Sequence, residues 1–149
     1  MLFEFQSQVA TLTGMEVANA SMYDGSTACA EAVVMAKRVT RKHKAIIAPG
    51  LHPHYSLATD TLASSVGIDV CILEQEISSD YKVLDLIDDE TACVVVQSPN
   101  VFGEIVDLTP IAEKAHLHKA LLIAVFTEPV ALGLIKSPGE QGADIVVGE

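Results

Sequence analysis

The 149-residue sequence predicts an α/β fold, with three α/β/α layers around a mostly parallel sheet. Short stretches that are apolar throughout alternate along the chain with stretches of helical periodicity, which is the pattern of a covered parallel sheet. Half of the residues are apolar and only 19% are charged, which excludes intrinsic disorder and favours one domain over residues 1–149. No repeat or low-complexity tract interrupts the alternation. Right-handed crossovers between the strands are therefore expected.

The helical stretches have apolar residues three and four positions apart and end at glycine or basic residues. We predict helices over residues 3–13, 26–41, about 56–65 and 109 to about 118, and a short amphipathic turn within the acidic stretch 74–90. The second helix ends in cations that suit the negative end of the helix dipole. Thr109 and Pro110 are the expected N-cap and first residue of the last helix.

The strands are short, and residues that favour turns separate them from the helices. We predict strands over residues 45–48, 69–73, 92–96, 121–126 and 144–147. Pro49–Gly50 closes the first of these strands. The segment after Pro129 has no definite pattern, and residues 136–142 predict a loop.

The composition excludes several classes of function. Nine Lys and Arg against 20 Asp and Glu give a net charge of −11, which argues against nucleic acid as a partner because phosphate binding needs a basic face. The longest apolar run, residues 120–126, is far shorter than the ~20 residues of a membrane-spanning helix, and the N-terminus lacks a basic signal-peptide region. Cys29, Cys71 and Cys93 have no CxxC spacing, so buried free thiols in the cytoplasm are expected.

The residues best suited to chemistry follow the strands or precede helices, in stretches 24–27, 50–54, 97–100 and 127–129. Ligands of open α/β sheets bind at this edge, beyond the carboxyl ends of the strands. Gly25 allows close backbone approach, and the Ser26 and Thr27 hydroxyls could surround a phosphate. The alternative is that Asp24 or Ser26 only caps the helix. The spacing matches no dinucleotide or ATP motif.

Histidines, an amide and a carboxylate complete the candidate set. His52 and His54 flank Pro53 and could stack on a planar ring, or could simply be surface residues; no third metal ligand has a suitable spacing, so no metal site is predicted. His116 and His118 are two positions apart on a predicted helix, so their side chains point in different directions and are not expected to share a metal ion. Both are expected to face solvent. Asn100 could hydrogen-bond a ligand. Glu128 could pair with a cationic ring nitrogen or cap the next turn.

Four stretches, residues 3–9, 12–28, 97–103 and 137–149, resemble the glycine cleavage system P-protein family, in the alpha-subunit form of its two-subunit members. The resemblance implies the large domain of the type I pyridoxal-phosphate (PLP) fold, as in aspartate aminotransferase. It also implies the reaction, in which glycine is decarboxylated and its aminomethyl group passes to the lipoyl arm of the H-protein. Glycine, the H-protein and a beta subunit, in a cytoplasmic heterotetramer, are the partners it implies.

The resemblance places a vestigial cofactor site on this chain, residue by residue. Gly25, Ser26 and Thr27 correspond to the phosphate loop. His52, or less closely His54, corresponds to the ring-stacking residue. The remaining positions are Asn100, near the ring, and Glu128, in place of the aspartate that pairs with the pyridine nitrogen, although Glu is one methylene longer.

The Schiff-base lysine of this fold belongs a few residues beyond residues 144–147, and no lysine of this chain lies there. The resemblance therefore implies no catalytic residue and no tightly bound PLP on this chain, with the cofactor held by beta. It further implies a core fragment without the N-terminal segment and small C-terminal domain of the family, whose exposed edges predict self-association. A non-catalytic scaffold that only binds beta, or a small α/β binder of phosphate esters, are the alternatives.

Overall fold

The computed structural model describes all residues from Met1 to Glu149. It contains a five-stranded sheet in the order β2-β1-β3-β4-β5, and every neighbouring pair is parallel. The strands are β1 Lys44–Ile47, β2 Asp69–Ile72, β3 Thr91–Gln97, β4 Leu121–Phe126 and β5 Ile145–Gly148, and the helices are α1 Leu2–Thr13, α2 Gly25–Thr40, α3 Pro53–Ser65 and α4 Thr109–Leu117. The predicted α/β class is confirmed.

β3 is the central strand, and all seven of its residues are buried. Successive side chains of a strand point to opposite faces of the sheet. Val94 accordingly packs in a core with Ile46, Leu122 and α4, whereas Val95 packs in a second core with Ile47 and Ile123 against α2 and α3. Two apolar cores on opposite faces of one sheet produce the three predicted layers.

α2 begins with a capping box. The Asp24 carboxylate accepts a hydrogen bond from the Thr27 amide, and the Thr27 hydroxyl accepts one from the Asp24 amide. The helix ends where Arg41 takes a left-handed conformation, with φ of 61°. Apart from Val33, its buried face consists of small residues, with Cys29, Ala32 and Ala36 among them. Small side chains let α2 lie close to both the sheet and α3.

One predicted helix start and one predicted N-cap residue are wrong. α3 begins at Pro53 rather than near residue 56, because the fixed φ and missing N–H of proline suit the first helical turn. His52 is therefore the N-cap residue. α4 has Leu108 rather than Thr109 as its N-cap residue, and the Thr109 amide donates to the carboxylate of Asp107 at 3.0 Å.

The short turn predicted within the acidic stretch is a 3₁₀ helix, Asp80–Asp85. Two further 3₁₀ helices were not predicted: Pro129–Gly133, in the segment without a definite pattern, and Gly139–Gln141, in the predicted loop. They are too short to show a helical period in the sequence.

α1 contacts the rest of the protein mainly through its C-terminal end. A Cβ on Gly139 would lie 2.1 Å from the carbonyl oxygen of Gly14, so only glycine allows this approach. The Gln6 amide also donates to the carbonyl of Ala18 at 2.8 Å. The first turn is exposed, with Phe3 at 85%. None of the helices is both long enough and apolar enough to cross a membrane.

Replacing Ile46 by alanine should lower the free energy of unfolding by about 2–5 kcal/mol, because the side chain is fully buried and its removal leaves a cavity. Urea denaturation followed by circular dichroism measures this loss. Leu57→Ala on the exposed side of α3 is the control and should change the free energy of unfolding by no more than about 0.5 kcal/mol. Equal losses in the two variants would contradict the assigned core.

Candidate functional site

The side chain of Gln97 joins three loops at the carboxyl edge of the sheet. It is 2% exposed at the end of β3. Its Oε1 accepts from the His52 amide at 2.9 Å, and its Nε2 donates to the Pro99 carbonyl at 3.0 Å and to the Thr127 hydroxyl at 3.3 Å. The loops after β1, β3 and β4 therefore do meet at one place, as the sequence predicts.

The N-terminus of α2 lies at the same edge, and its polar groups bond to Asp24. One carboxylate oxygen of Asp24 accepts from the Thr27 amide at 2.7 Å, the Thr27 hydroxyl at 2.8 Å and the Ser26 hydroxyl at 2.9 Å. These bonds, the one from the Thr27 amide first, hold the pKa of Asp24 below its ordinary value. Asp24 is thus the helix cap, the alternative that the sequence left open.

Gly25, the first residue of α2, is in contact with Tyr55 and Glu149. The Tyr55 hydroxyl donates to Glu149 Oε1 at 2.8 Å, and the Gly25 amide donates to Glu149 Oε2 at 3.4 Å. A Cβ at position 25 would lie 1.9 Å from the Tyr55 oxygen, so glycine is required there. Burial, followed by the hydrogen bond to Glu149 and its negative charge, raises the pKa of Tyr55 far above its ordinary value.

His52 and His54 both lie at the start of α3 and are exposed. The His52 Nδ1 accepts from the His54 amide at 3.2 Å, which caps the helix. The His52 ring is edge-on to Tyr55, with ring centroids 6.0 Å apart and planes at 66°. The contact between the His52 and His54 rings is of the same edge type, with centroids 6.2 Å apart. The ring-stacking role of His52 stays a prediction.

Asn100 is buried in a network that ties together the loops after β1, β2 and β3. Its Nδ2 donates to Asp80 at 2.7 Å and to Glu104 at 3.0 Å, and its Oδ1 accepts from the Phe102 and Glu104 amides, each at 3.0 Å. Asp80 is 3% exposed and accepts from the Gly50 amide at 2.9 Å. Every polar atom of the Asn100 side chain is therefore bonded within this chain.

Glu128 lies two residues after the end of β4, and it is exposed. It occupies the N-cap position of the turn Pro129–Gly133, but its side chain makes no capping hydrogen bond. The predicted alternative of a capping role is therefore not seen. The carboxylate is free to face solvent or a ligand.

The lysines that form polar contacts lie mostly at the opposite, amino edge. Lys44 pairs with Asp88 at 2.6 Å, and Lys42 donates to the carbonyls of His118 and Lys119. No Lys or Arg forms a hydrogen bond or ion pair with any residue of the carboxyl-edge set Gly25, Ser26, Thr27, His52, Asn100 and Glu128. His116 and His118 each bond a different carboxylate, Asp144 and Asp89. No three His, Cys, Asp or Glu side chains lie together so as to hold a metal.

The donors at this edge that a PLP phosphate would need are already bonded to carboxylates. The Ser26 and Thr27 groups are bonded to one carboxylate, and the Gly25 amide faces another. A phosphate dianion there would lie beside two like charges with no cation to offset them. The residues present do not fit the phosphate group in this arrangement.

Solved structures with the same fold define the class of this chain. Residues spanning 99% of it superpose on 33% of a crystal structure of glycine decarboxylase (P-protein) of the glycine cleavage system in inhibitor-bound form, with a TM-score of 0.93 and 42% identity. metB from Corynebacterium glutamicum matches 99% of this chain, and 37% of its own chain, with a TM-score of 0.75 at 19% identity, which shows the fold alone. The chain thus has the large-domain fold of type I PLP enzymes.

The family follows from the sequence comparisons. The family model described as glycine cleavage system P-protein matches residues 1–149, and the chain belongs to this family. It is 62% identical over its whole length to the probable glycine dehydrogenase (decarboxylating) subunit 1 of Phenylobacterium zucineum, covering 34% of that protein. Over 148 residues, 99% of the chain, it is 64% identical to the protein of the same name from Azorhizobium caulinodans, covering 33% of it. The chain spans about a third of these relatives.

The sequence analysis named Gln97 only as part of the stretch 97–100 and gave no separate role to Asp80 or Glu149. The signal for Gln97 was an amide directly after the apolar run of β3, where a strand end meets the ligand edge. Asp80 is one of several carboxylates in the acidic stretch 74–90, and Glu149 is the last residue of the stretch 137–149. No sequence pattern distinguishes either of them from the other acidic residues. Only their contacts, with Gly50 and Asn100 and with Gly25 and Tyr55, distinguish them.

Replacing Asp24 by asparagine should reduce stability at neutral pH but not in acid. A carboxyl with a folded-state pKa below its ordinary 3.8 contributes stability above that pH and loses it as pH falls through the lowered value. The difference in unfolding free energy between wild type and Asp24→Asn is therefore expected to be largest near pH 7 and to vanish near pH ~2. Urea titrations across this range measure it. Glu113→Gln removes an exposed carboxylate without a partner, and the same pH dependence there would argue against the cap as its cause.

Proposed function

We propose that this chain is part of subunit 1, the alpha subunit, of a glycine dehydrogenase (decarboxylating). The match of residues 1–149 to the P-protein family and the identity above 60% to two proteins named as this subunit support the proposal. The assembled enzyme decarboxylates glycine and transfers the remaining aminomethyl group to the lipoyl arm of the H-protein. In that reaction, PLP supplies the electron sink for the carbanion left by CO₂.

We further propose that this chain does not hold the cofactor and that the beta subunit carries both PLP and its lysine. The observation that carries this proposal is the pair of carboxylates, Asp24 and Glu149, on the amide and hydroxyl donors at the start of α2. A site that binds a phosphate dianion presents free amides and usually a cation. Here two carboxylates already occupy the donors, so their negative charge opposes the phosphate.

The vestigial residues then have structural or surface roles on this subunit. Gly25, Ser26 and Thr27 build and cap the start of α2, and Asn100 fixes the loops around Asp80. His52 and Glu128 are the members of the set whose side chains remain exposed. These two are the residues through which this edge would contact a substrate or the partner subunit.

A scaffold without any catalytic contribution is the second candidate. It is favoured because the polar groups of Asn100, Ser26 and Thr27 are all bonded within the chain. A binder of phosphate esters, the third alternative, is disfavoured by the same carboxylates that oppose PLP. Cys29 and Cys93 are buried as predicted, whereas Cys71 is only half-buried, and none of the three is in a disulfide. Free thiols support a reducing compartment, which we propose to be the cytoplasm.

The isolated chain should form no lysine adduct with PLP and release no CO₂ from glycine. Mixing it with PLP is expected to give no aldimine absorbance at roughly 400–430 nm. Carboxyl-labelled glycine is expected to retain its label. A borohydride-reducible adduct at one lysine, or measurable exchange of CO₂ by this chain alone, would contradict the division of labour.

A chimera tests the assignment to subunit 1 directly. Residues 1–149 replace the matching third of the Phenylobacterium zucineum protein, and the chimera is combined with that organism's second subunit, the H-protein and PLP. Glycine decarboxylation close to that of the unaltered subunit is the expected result. A folded chimera that fails to bind the second subunit would refute the assignment. In an active chimera, unchanged rates in both His52→Ala and Glu128→Gln would favour the scaffold.

The isolated chain should also self-associate. β2 and β5 are the outer strands of the sheet, and α1 exposes Leu2, Phe3 and Phe5. Sedimentation is expected to show a mass above 15.8 kDa that rises with concentration. Phe3→Ser combined with Phe5→Ser should shift the equilibrium towards the monomer. A wild-type monomer at all concentrations would show that these surfaces do not associate.

A further inference from the structure

Seven of the nine Lys and Arg residues lie in two short segments, residues 37–44 and residues 114–119. The first segment runs from the last turn of α2 into β1, and the second contains the end of α4. Both therefore lie at the amino edge of the sheet, opposite the carboxyl edge described above. A chain with a net charge of −11 thus concentrates its cations at one edge, and we call these two segments the amino-edge basic surface.

The two segments of this surface contact each other. The Lys42 ammonium donates to the carbonyl of His118 and, at 3.3 Å, to that of Lys119. A hollow of about 440 Å³ lies between the segments, and Lys42, His116 and Lys119 line it together with apolar side chains such as Val39. No carboxylate lines the hollow. It therefore combines positive charge with apolar contact surface.

Three carboxylates at this surface are already bonded within the chain. Lys44 pairs with Asp88, and the two histidines of the second segment bond Asp89 and Asp144. Four cations of the surface have neither an ion pair nor a side-chain hydrogen bond, and they are Arg38, Arg41, Lys114 and Lys119. These four are available to carboxylates of another molecule.

Two of the four available cations occupy positions that favour glycine. Arg41 is the C-cap residue of α2 with φ of 61°, and Lys119 follows the C-cap residue of α4 with φ of 54°. Glycine most often takes this left-handed conformation at the end of a helix. The helix dipole favours a cation there, but α3 ends without a basic residue in its last turn. The dipole alone therefore does not account for the concentration of charge.

We propose that the amino-edge basic surface is a docking site for an acidic segment of a partner protein. The carboxylates of that segment bind the four available cations, and its aliphatic side chains contact the hollow and the exposed Val39 and Leu117. Residues 37–44 and 114–121 contain no Phe, Tyr or Trp on which bases could stack, which favours a protein over single-stranded nucleic acid. The inference is independent of the proposed function, which concerns the opposite edge.

A short fluorescent peptide that repeats the unit Glu-Glu-Leu tests the proposal. The peptide with glutamine in place of every glutamate is its control. Fluorescence anisotropy is expected to show that the chain binds only the acidic peptide, and that binding weakens about tenfold when salt rises from about 0.05 M to about 0.5 M, because salt screens exposed charges. Equal binding of the two peptides, or no binding of the acidic one, would overturn the proposal.

Neutralising pairs of cations tests the location of the site. Arg41→Gln combined with Lys119→Gln should weaken binding of the acidic peptide about tenfold, because two exposed charge pairs are lost. Lys82→Gln combined with Lys136→Gln removes the two cations outside the surface and should leave the affinity unchanged. Arg41→Lys combined with Lys119→Arg keeps both charges and should bind like wild type. Equal weakening in the two neutralised pairs would assign the binding to net charge and overturn the proposal.

Carbodiimide coupling of the peptide carboxylates to lysines, followed by mass spectrometry, maps the contact directly. Adducts are expected on Lys114 and Lys119 and not on Lys82 or Lys136. Adducts distributed over all four lysines would overturn the proposal. An oligothymidylate of the same length as the peptide is expected to bind more weakly, and tighter binding would assign the surface to nucleic acid instead.

The chimera described above tests the surface within a whole subunit. It should bind the acidic peptide with the affinity of the 149-residue chain. Loss of binding in a folded chimera would show that the remainder of the subunit covers the amino edge, and would overturn the proposal. None of these measurements involves glycine, PLP or the second subunit, so their failure is distinguishable from failure of the proposed function.

Discussion

The complete burial of β3 is the constraint on which the rest of the structure depends. A strand covered on both faces and both sides must be apolar, and its sequence allows polar groups only at its two ends, Thr91 and Gln97. Strands on both sides of it, β1 and β4, run parallel to it. The carboxyl ends of β1, β3 and β4 therefore lie at the same edge of the sheet. Gln97 is at the end of β3, between the other two strands, and its side-chain amide bonds the loops that follow β1 and β4.

The polar side chains at the carboxyl edge of the sheet bond the surrounding loops to one another. The three buried or half-buried polar centres there, Gln97, Asn100 and Asp24, bond mainly to backbone and side-chain groups of the chain itself. Such groups are stable only when every donor and acceptor is satisfied, and no buried side-chain polar atom lacks a partner. Such a network restrains the loops that it bonds. It suits the role proposed above, in which this edge shapes a site whose chemistry another subunit supplies.

The sequence predicted those features that depend on neighbouring residues. The five apolar strands, the cap at Asp24 and the meeting of the loops at one edge all follow from local patterns and from the rules of parallel sheets. The start of α3 was misplaced because a proline is equally compatible with a turn and with a first helical turn. The contact between Tyr55 and Glu149 spans 94 residues, and no local pattern encodes it.

The contact between Gly14 and Gly139 makes α1 a separate unit of cooperativity. It is a backbone-to-backbone approach, and little apolar surface is buried along the helix, whose only fully buried residue is Thr13. The free energy needed to open α1 is therefore small compared with that needed to open β3. We therefore expect partial unfolding to begin at this helix while the sheet remains intact. The contact between the two glycines would then control this local opening equilibrium.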